Sequence, residues 1–303
     1  MAEPPWTSHR NWTPGSAAAA IRSHGLEAGE VSYLGEGFDF SVFAVAGEWA
    51  FKFPKRDDYA RQLLVESRLL DALHPDCPIQ IPRYEHVFET EAGDVVGGYR
   101  LIEGRPALEH AADFRLPSGS AALLAAFISH VHGFDAERAR ELGATVWHPE
   151  VCEAWRRHLL AELEEIVPAL ETELAHQARK AVADLDVVLP IESIQQTLCH
   201  GDLAADHILL DPETRHIAGV IDWSDAFVGD PAYDFGGILA WQGEVFADRV
   251  RALCTREYDR SLIVRARAYG LNWVVGTIRY GLATDRPRER QAGIECLRRL
   301  LGT

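Results

Sequence analysis

The sequence predicts an α+β chain in two lobes, the first β-rich and the second mostly helical. Three observations carry this reading. Short apolar runs broken by Gly, Pro and Asp crowd residues 31–102, the signature of strands and turns. From residue 118 onward apolar residues recur at helical spacing. One pair of β-runs, Ile208–Leu210 and Ile217–Ile221, interrupts the helical part and is bracketed by two acids, Asp202 and Asp222. The expected division is a lobe over residues 1–100, a crossover at 101–106 and a second lobe over 107–303, and 303 residues suffice for two such bodies.

In the first lobe, Pro14-Gly15-Ser16 precedes an alanine run that reads as a helix ending at Gly25. Val31–Leu34, Val42–Val45 and Trp49–Phe53 read as three strands. Between the first two lie Gly35, Gly37 and Ser41, and a glycine pair in a hairpin turn lets backbone N–H groups approach a phosphate. No Gly-Lys-Ser/Thr follows, and the next element is a strand, so this is neither a Walker loop nor a dinucleotide fingerprint. Lys52 sits inside the apolar run Phe51-Lys52-Phe53, where a charge needs a partner or a site. Period-two alternation puts it on the opposite face from both phenylalanines. Glu66 lies on a predicted helix over Tyr59–Leu73; a Lys on the third strand paired with a Glu on the next helix positions nucleotide phosphates in protein kinases. Lys55 competes for that role but follows Pro54 and reads as a loop residue. Tyr84–Phe88 and Gly98–Ile102 read as further strands. The segment carrying Tyr99, Leu101 and Glu103 would offer backbone groups to a purine edge.

In the second lobe, Ser118–Val131 reads as a helix followed by a structural His132. Val151–Leu174 reads as one long acidic amphipathic helix, with further helices over Gln177–Leu185, Phe235–Gln242, Glu244–Arg256, Arg260–Tyr280 and Arg286–Leu301. The bracketed β-pair reads as a hairpin turning at Asp211-Pro212-Glu213, which brings Asp202 and Asp222 to one end. A carboxylate in a loop there can orient a hydroxyl, and orientation with charge stabilisation carries most of phosphoryl transfer. Asp222, just past the second strand, is placed to hold a magnesium ion between phosphates. His207 stands five residues after Asp202, where protein kinases carry a metal-ligating Asn, and a ring nitrogen can replace that amide oxygen.

Composition excludes several classes. A net charge of −16 argues against a nucleic-acid partner. Residues 101–248 hold 26 acids against 9 Lys/Arg, whereas residues 249–303 hold 5 against 12, so a cationic partner is expected at the second lobe. The five cysteines are scattered without a CxxC pair, which reads as free thiols in a reducing compartment. Cys199, beside His200, reads as a buried thiol. The polar start and the lack of a long uncharged apolar run predict neither a signal peptide nor a membrane span. A cytoplasmic monomer is expected.

The stretch HGDLAADHILLD…GVIDWSDAFVGDPAYDF resembles the aminoglycoside phosphotransferase family of antibiotic kinases, over about Val31 to Tyr280. FKFPK…ARQLLVES and His207 look most like the 2″-aminoglycoside phosphotransferases, and macrolide phosphotransferases carry a similar HGDL…HIL signature. The resemblance implies a protein-kinase-like two-lobe fold. It implies Asp202 as catalytic base, His207 and Asp222 as Mg²⁺ ligands, and Lys52 with Glu66 as the phosphate-binding pair. It implies that Asp230 and Asp234 are structural, Asp234 bracing the catalytic loop through backbone hydrogen bonds, and that His200 packs and hydrogen-bonds. Trp223, where protein kinases have Phe, implies a less switchable site. The reaction implied is transfer of the γ-phosphate of ATP or GTP to an aminoglycoside hydroxyl, which confers antibiotic resistance. The alternative is a macrolide 2′-phosphotransferase or a small-metabolite kinase of the same fold. For a polycationic acceptor, Asp206, Asp225 and Glu244 would supply charge, and Trp241 and Tyr280 would stack on a sugar ring.

Overall fold

The computed structural model describes residues 8–37, 39–56, 59–109, 115–117, 119–147, 149–183 and 194–302. The chain divides into two compact units, Met1–Glu103 and Gly104–Thr303.

The first unit is built on a five-stranded antiparallel sheet in the order β1-β2-β3-β5-β4, formed by β1 (Val31–Glu36), β2 (Phe40–Val45), β3 (Trp49–Pro54), β4 (Tyr84–Glu89) and β5 (Val95–Arg100). Helix α1 (Pro14–Ser23) starts at a capping box in which Thr13 and Ser16 satisfy each other's backbone N–H. Its Ala17 and Ile21 pack with Phe43, Phe51, Phe53 and Val96 on one face of the sheet. Helix α2 (Tyr59–Leu73) lays Leu63 against Phe40 and Val95. Alternation along β3 therefore sends Phe51 and Phe53 into the α1 core and Lys52 the other way.

The strand expected over Gly98–Ile102 instead spans Val95–Arg100. The expected start at Gly98 is late, because glycine is a poor strand residue by propensity and Gly97 masks the true start. Here both glycines are packing requirements. A Cβ on Gly97 would lie 2.5 Å from the Tyr84 ring, and one on Gly98 2.5 Å from the Phe51 ring.

The second unit contains α3 (Ser120–His132), α4 (Ala136–Leu142), α5 (Pro149–Ile166), α6 (Thr172–Ala183), α7 (Ala232–Gln242), α8 (Glu244–Leu253), α9 (Leu262–Ala283) and α10 (Pro287–Leu301). Two small sheets accompany them. β6 (Arg105–Pro106), β9 (Ile208–Leu210) and β10 (Ile217–Val220) form one, in the order β10-β9-β6. β7 (Thr145–Val146), β8 (Thr197–Cys199) and β11 (Phe227–Gly229) form the other, in the order β7-β11-β8. The long helix expected over Val151–Leu174 is two helices. Pro168 supplies no N–H and its ring crowds the preceding turn, so α5 ends at Ile166 and a single 3₁₀ turn leads toward α6. The helix expected over Gln177–Leu185 is the later part of α6. Elements α4, β7 and β11 had no counterpart in the sequence reading, because two- and three-residue strands and a two-turn helix carry too little periodicity.

α7 and α10 both pack on α9. Where α7 crosses α9, a Cβ on Gly236 would lie 2.8 Å from the Gly270 nitrogen. On the next residue, Gly237, it would lie 2.3 Å from the Leu203 carbonyl oxygen. This glycine pair lets α7 touch both α9 and the loop that carries Asp202.

Candidate active site

In the first unit, Lys52 Nζ donates to both Glu66 oxygens, at 2.8 and 3.1 Å. Lys52 is 4% exposed and Glu66 1%. Tyr84 donates its hydroxyl to Glu66 Oε1 at 3.0 Å, and burial together with the Glu66 charge raises the phenol well above its ordinary range, so it stays a donor. The Phe40 ring lies 4.5 Å from the ammonium. Gly35 faces open space, since a Cβ there would meet nothing within 4 Å, so among the described residues no packing contact explains its lack of a side chain. Gly37 is tied back into the sheet by its N–H to Phe40 O at 3.0 Å. Lys55 lies in the loop after β3, as read from sequence, but is buried and holds the glycine turn: Nζ donates to Gly37 O at 3.1 Å and pairs with Glu36 at 3.0 Å. Ser41 is buried opposite Glu36 in the β1–β2 ladder. Tyr99 is buried edge-on to Tyr84, with ring centres 5.3 Å apart. The Leu101 N–H donates to Glu48 O at 2.8 Å, so that N–H is not available to a purine edge. The Glu103 side chain is exposed.

In the second unit, the backbone of the loop after β8 is held by the side chains of His200 and Asp234. His200 is fully buried, and its Nε2–H donates to Ile221 O at 3.1 Å while Nδ1 accepts the Asp202 N–H at 3.1 Å. That pattern requires a neutral ring, and burial pushes the imidazole down to about 4. Trp223, 1% exposed, packs its ring 4.5 Å from His200. Gly201 has φ +87°, and a Cβ on it would lie 2.2 Å from the Asp225 carbonyl oxygen. Gly201→Ala is therefore expected to cost about 1–3 kcal/mol in backbone strain alone. The clash would also displace Asp202, so thermal unfolding and kcat should fall together; a variant with normal turnover would refute this account of the loop.

The hairpin register brings the acids together. Ile221 N–H donates to His207 O at 3.0 Å, which extends the β9–β10 pairing and seats Asp222 beside the His207 ring. Asp222 adopts φ +61°, a left-handed conformation uncommon outside glycine. His207 Nδ1 donates to the Asp202 carbonyl at 2.9 Å and lies 3.3 Å from Asp202 Oδ2. Its Nε2 lies 3.6 Å from Asp222 Oδ2 and 3.9 Å from Asp206 Oδ2. Burial disfavours the charged ring, but the carboxylates of Asp206, Asp202 and Asp222 outweigh it and raise His207 to about 10. Asp202 is pushed well above the usual carboxylate range by burial, with Asp206, Asp225 and Asp222 adding to the shift and His207 opposing it. Asp206 Oδ1 is buried without a hydrogen-bond partner among the described residues.

Behind the loop, Asp234 Oδ2 accepts the His200 N–H at 2.9 Å and Oδ1 accepts the Gly201 N–H at 3.0 Å. Asp230 accepts Arg265 Nε at 2.7 Å and the Tyr269 hydroxyl at 3.2 Å, and caps α7 through the Ala232 N–H at 2.9 Å. Among the residues expected at the acceptor, Asp206 and Asp225 act on Asp202. Trp241 is not brought with them: it is 4% exposed in the core, because α7 is apolar on nearly every face. Glu244 is exposed and paired with Arg267 at 2.7 Å. Tyr280 lies under the Arg286 guanidinium at 5.3 Å.

His132, Cys199 and Asp234 bring a nitrogen, a sulfur and an oxygen within 4.8 Å of one another. Hydrogen bonding accounts for this group. His132 uses both ring nitrogens, one on Asp234 and one on Tyr258, and burial raises the Cys199 thiol well above its usual range, so no thiolate is offered to a metal. His132, Tyr258, Arg265 and Tyr269 were not picked out from sequence as site residues. Each looks like an ordinary helix or loop residue until the helices are packed.

Residues 30–269 match the model of the phosphotransferase enzyme family. The chain belongs to this family. An uncharacterised protein of Bacillus subtilis (strain 168), YcbJ, is 29% identical over 257 residues, 79% of each chain. Among solved structures, the GDP complex of wild-type aminoglycoside 2′-phosphotransferase-IIIa superposes with a TM-score of 0.77 at 25% identity, covering 96% of this chain and 99% of that one. The macrolide 2′-phosphotransferase MphH of Brachybacterium faecium gives 0.64 at 26% identity, covering 93% and 97%. The expected α+β, protein-kinase-like fold is thus the fold of this phosphotransferase. Among the described residues no helix is long and apolar enough to cross a membrane.

Proposed function

We propose that this phosphotransferase moves the γ-phosphate of ATP or GTP to a hydroxyl of a cationic acceptor of the aminoglycoside class. The observation that carries the reading is the convergence of Asp202, Asp206 and Asp222 on His207, with Asp225 acting on the same carboxylate. Asp202, on a loop held from both sides, orients the acceptor hydroxyl and accepts its proton. Burial and the neighbouring carboxylates raise this carboxylate above its usual range, which makes it the readier proton acceptor. Lys52, fixed by Glu66, holds phosphate oxygens of the nucleotide, and the open space at Gly35 suits a phosphate close to the backbone.

The residues fit a divalent cation. Carboxylate oxygens of Asp222 and Asp206 face the His207 Nε2 position, and the orphaned Asp206 Oδ1 lies in the same cluster. Asp222 would be the principal Mg²⁺ ligand; His207, whose Nδ1 donates to Asp202 O, would bind through Nε2 once the proton there is displaced, or otherwise through water. When bound, the ion would neutralise charge on the transferring phosphate.

The acidic surroundings of Asp202 support a polycation over a neutral acceptor. Similarity to a macrolide phosphotransferase supports a second reading, a macrolide 2′-hydroxyl. A coupled assay over aminoglycosides, macrolides and choline-like metabolites, run with ATP and with GTP and with Mg²⁺ or excess chelator, separates the two. Turnover of an aminoglycoside that is lost on chelation is expected. Turnover of erythromycin with none of any aminoglycoside would reverse the order of the readings.

A further inference from the structure

We propose that Tyr258 and His132 are positioning residues for the catalytic loop, acting through Asp234. This rests on the reading of Asp202 as the carboxylate that handles the acceptor hydroxyl.

Asp234, in the first turn of α7 and 2% exposed, is the point where the loop is anchored. Besides the N–H groups of His200 and Gly201, it accepts a third hydrogen bond, from His132 Nε2 at 3.1 Å. His132 lies in the last turn of α3, 1% exposed. To donate to Asp234 the ring must carry its proton on Nε2, which leaves Nδ1 as an acceptor in the neutral form. Tyr258 OH lies 2.8 Å from Nδ1, and toward the neutral ring the hydroxyl is the donor. Both ring nitrogens are then fixed, and the imidazole cannot turn away from Asp234 without breaking two bonds. A phenol selects the tautomer, the imidazole orients the carboxylate, and the carboxylate holds two consecutive amides immediately before Asp202.

Asp259, the next residue, secures the other aspartate of the same segment. It accepts Arg265 Nη1 at 2.8 Å and Nη2 at 2.9 Å, while Arg265 Nε reaches Asp230. The pair Tyr258-Asp259 therefore controls both Asp234 and Asp230 from the connection between α8 and α9. That connection is itself docked on α3. Thr255 N–H donates to Ser129 Oγ at 3.0 Å, and Arg256 Nη1 donates to the His132 carbonyl at 3.2 Å. The anchoring matters because Gly201, at φ +87°, has no side chain to restrict its backbone.

Tyr258→Phe keeps the ring, which packs edge-on against His132 and Phe235, and removes only the hydroxyl. It is expected to lower kcat about tenfold with little change in nucleotide KM, since small displacements at a reacting group cost rate more than binding. Amide hydrogen exchange of the peptide 198–206, measured on the protein without substrates, is expected to accelerate. His132→Gln, whose amide can still donate to Asp234, should retain more kcat and more protection than His132→Leu. Unchanged exchange in Tyr258→Phe, or equal protection in His132→Gln and His132→Leu, would overturn the proposal. The exchange arm decides the positioning role even if the wild-type protein phosphorylates none of the acceptors offered; that failure would count against the proposed acceptor class alone.

Discussion

Asp202→Asn is expected to reduce kcat by about 10²–10⁴-fold, the usual worth of a positioned proton acceptor, and to leave nucleotide affinity in place. The substitution should be tolerated structurally. The bonds that hold this residue are made by its backbone: its N–H to His200 Nδ1, and its carbonyl to His207 Nδ1 and the Ala204 N–H. All three survive the change. Burial, with like charges from Asp206, Asp225 and Asp222, disfavours the carboxylate by more than the attraction of His207, 3.3 Å away, favours it, so neutralising it removes a net cost. The unfolding temperature should therefore hold or rise. Steady-state kinetics beside a nucleotide titration and a thermal scan make the check. Unchanged turnover would remove Asp202 from the reaction, and a fall in stability would mean that its charge is structural.

The second large effect is expected at Lys52. Lys52→Met leaves the Glu66 carboxylate buried without the lysine charge, and breaking one side of a buried pair costs about 3–5 kcal/mol. Urea unfolding should show this loss, and turnover should fall with it. Adding Glu66→Gln to Lys52→Met removes the stranded charge, and the resulting amide can still accept from the Tyr84 hydroxyl. The double variant is expected to regain most of the stability and none of the nucleotide affinity. If affinity returned along with stability, Lys52 would be a packing residue and not a phosphate ligand.

What could be read in the sequence follows from distance along the chain. Lys52 faces away from Phe51 and Phe53 because successive side chains on a strand alternate, which needs no knowledge of the rest of the fold. Asp202, His207 and Asp222 meet because a short antiparallel hairpin with a tight turn at Asp211 brings its ends together. Its Asp211 Oδ1 accepts the N–H groups of Glu213 and Thr214 within the turn itself. Errors arose where local signals were weak or competed. Gly97 and Gly98 shifted the bounds of a strand, because the reason for glycine there is the neighbouring rings of Tyr84 and Phe51. Acidic residues on both sides of Pro168 suggested one continuous helix, although the proline ends it. Trp241 looked able to stack on a ligand, since an aromatic side chain on an apolar helix gives no sign of which faces are covered.

By itself the sequence determined two placements, Lys52 on β3 facing away from its phenylalanine neighbours and the acid–histidine cluster around the β9–β10 hairpin. Strand alternation and a tight turn operate over a few residues and leave few alternatives. Only the tertiary structure decided what supports the loop that opens this hairpin. Asp234 reaches the amides of His200 and Gly201 across more than thirty residues, and His132 meets Tyr258 across 126. Such contacts depend on how α3, α7 and α9 pack, and no local pattern distinguishes a polar side chain bound for a buried network from one bound for water.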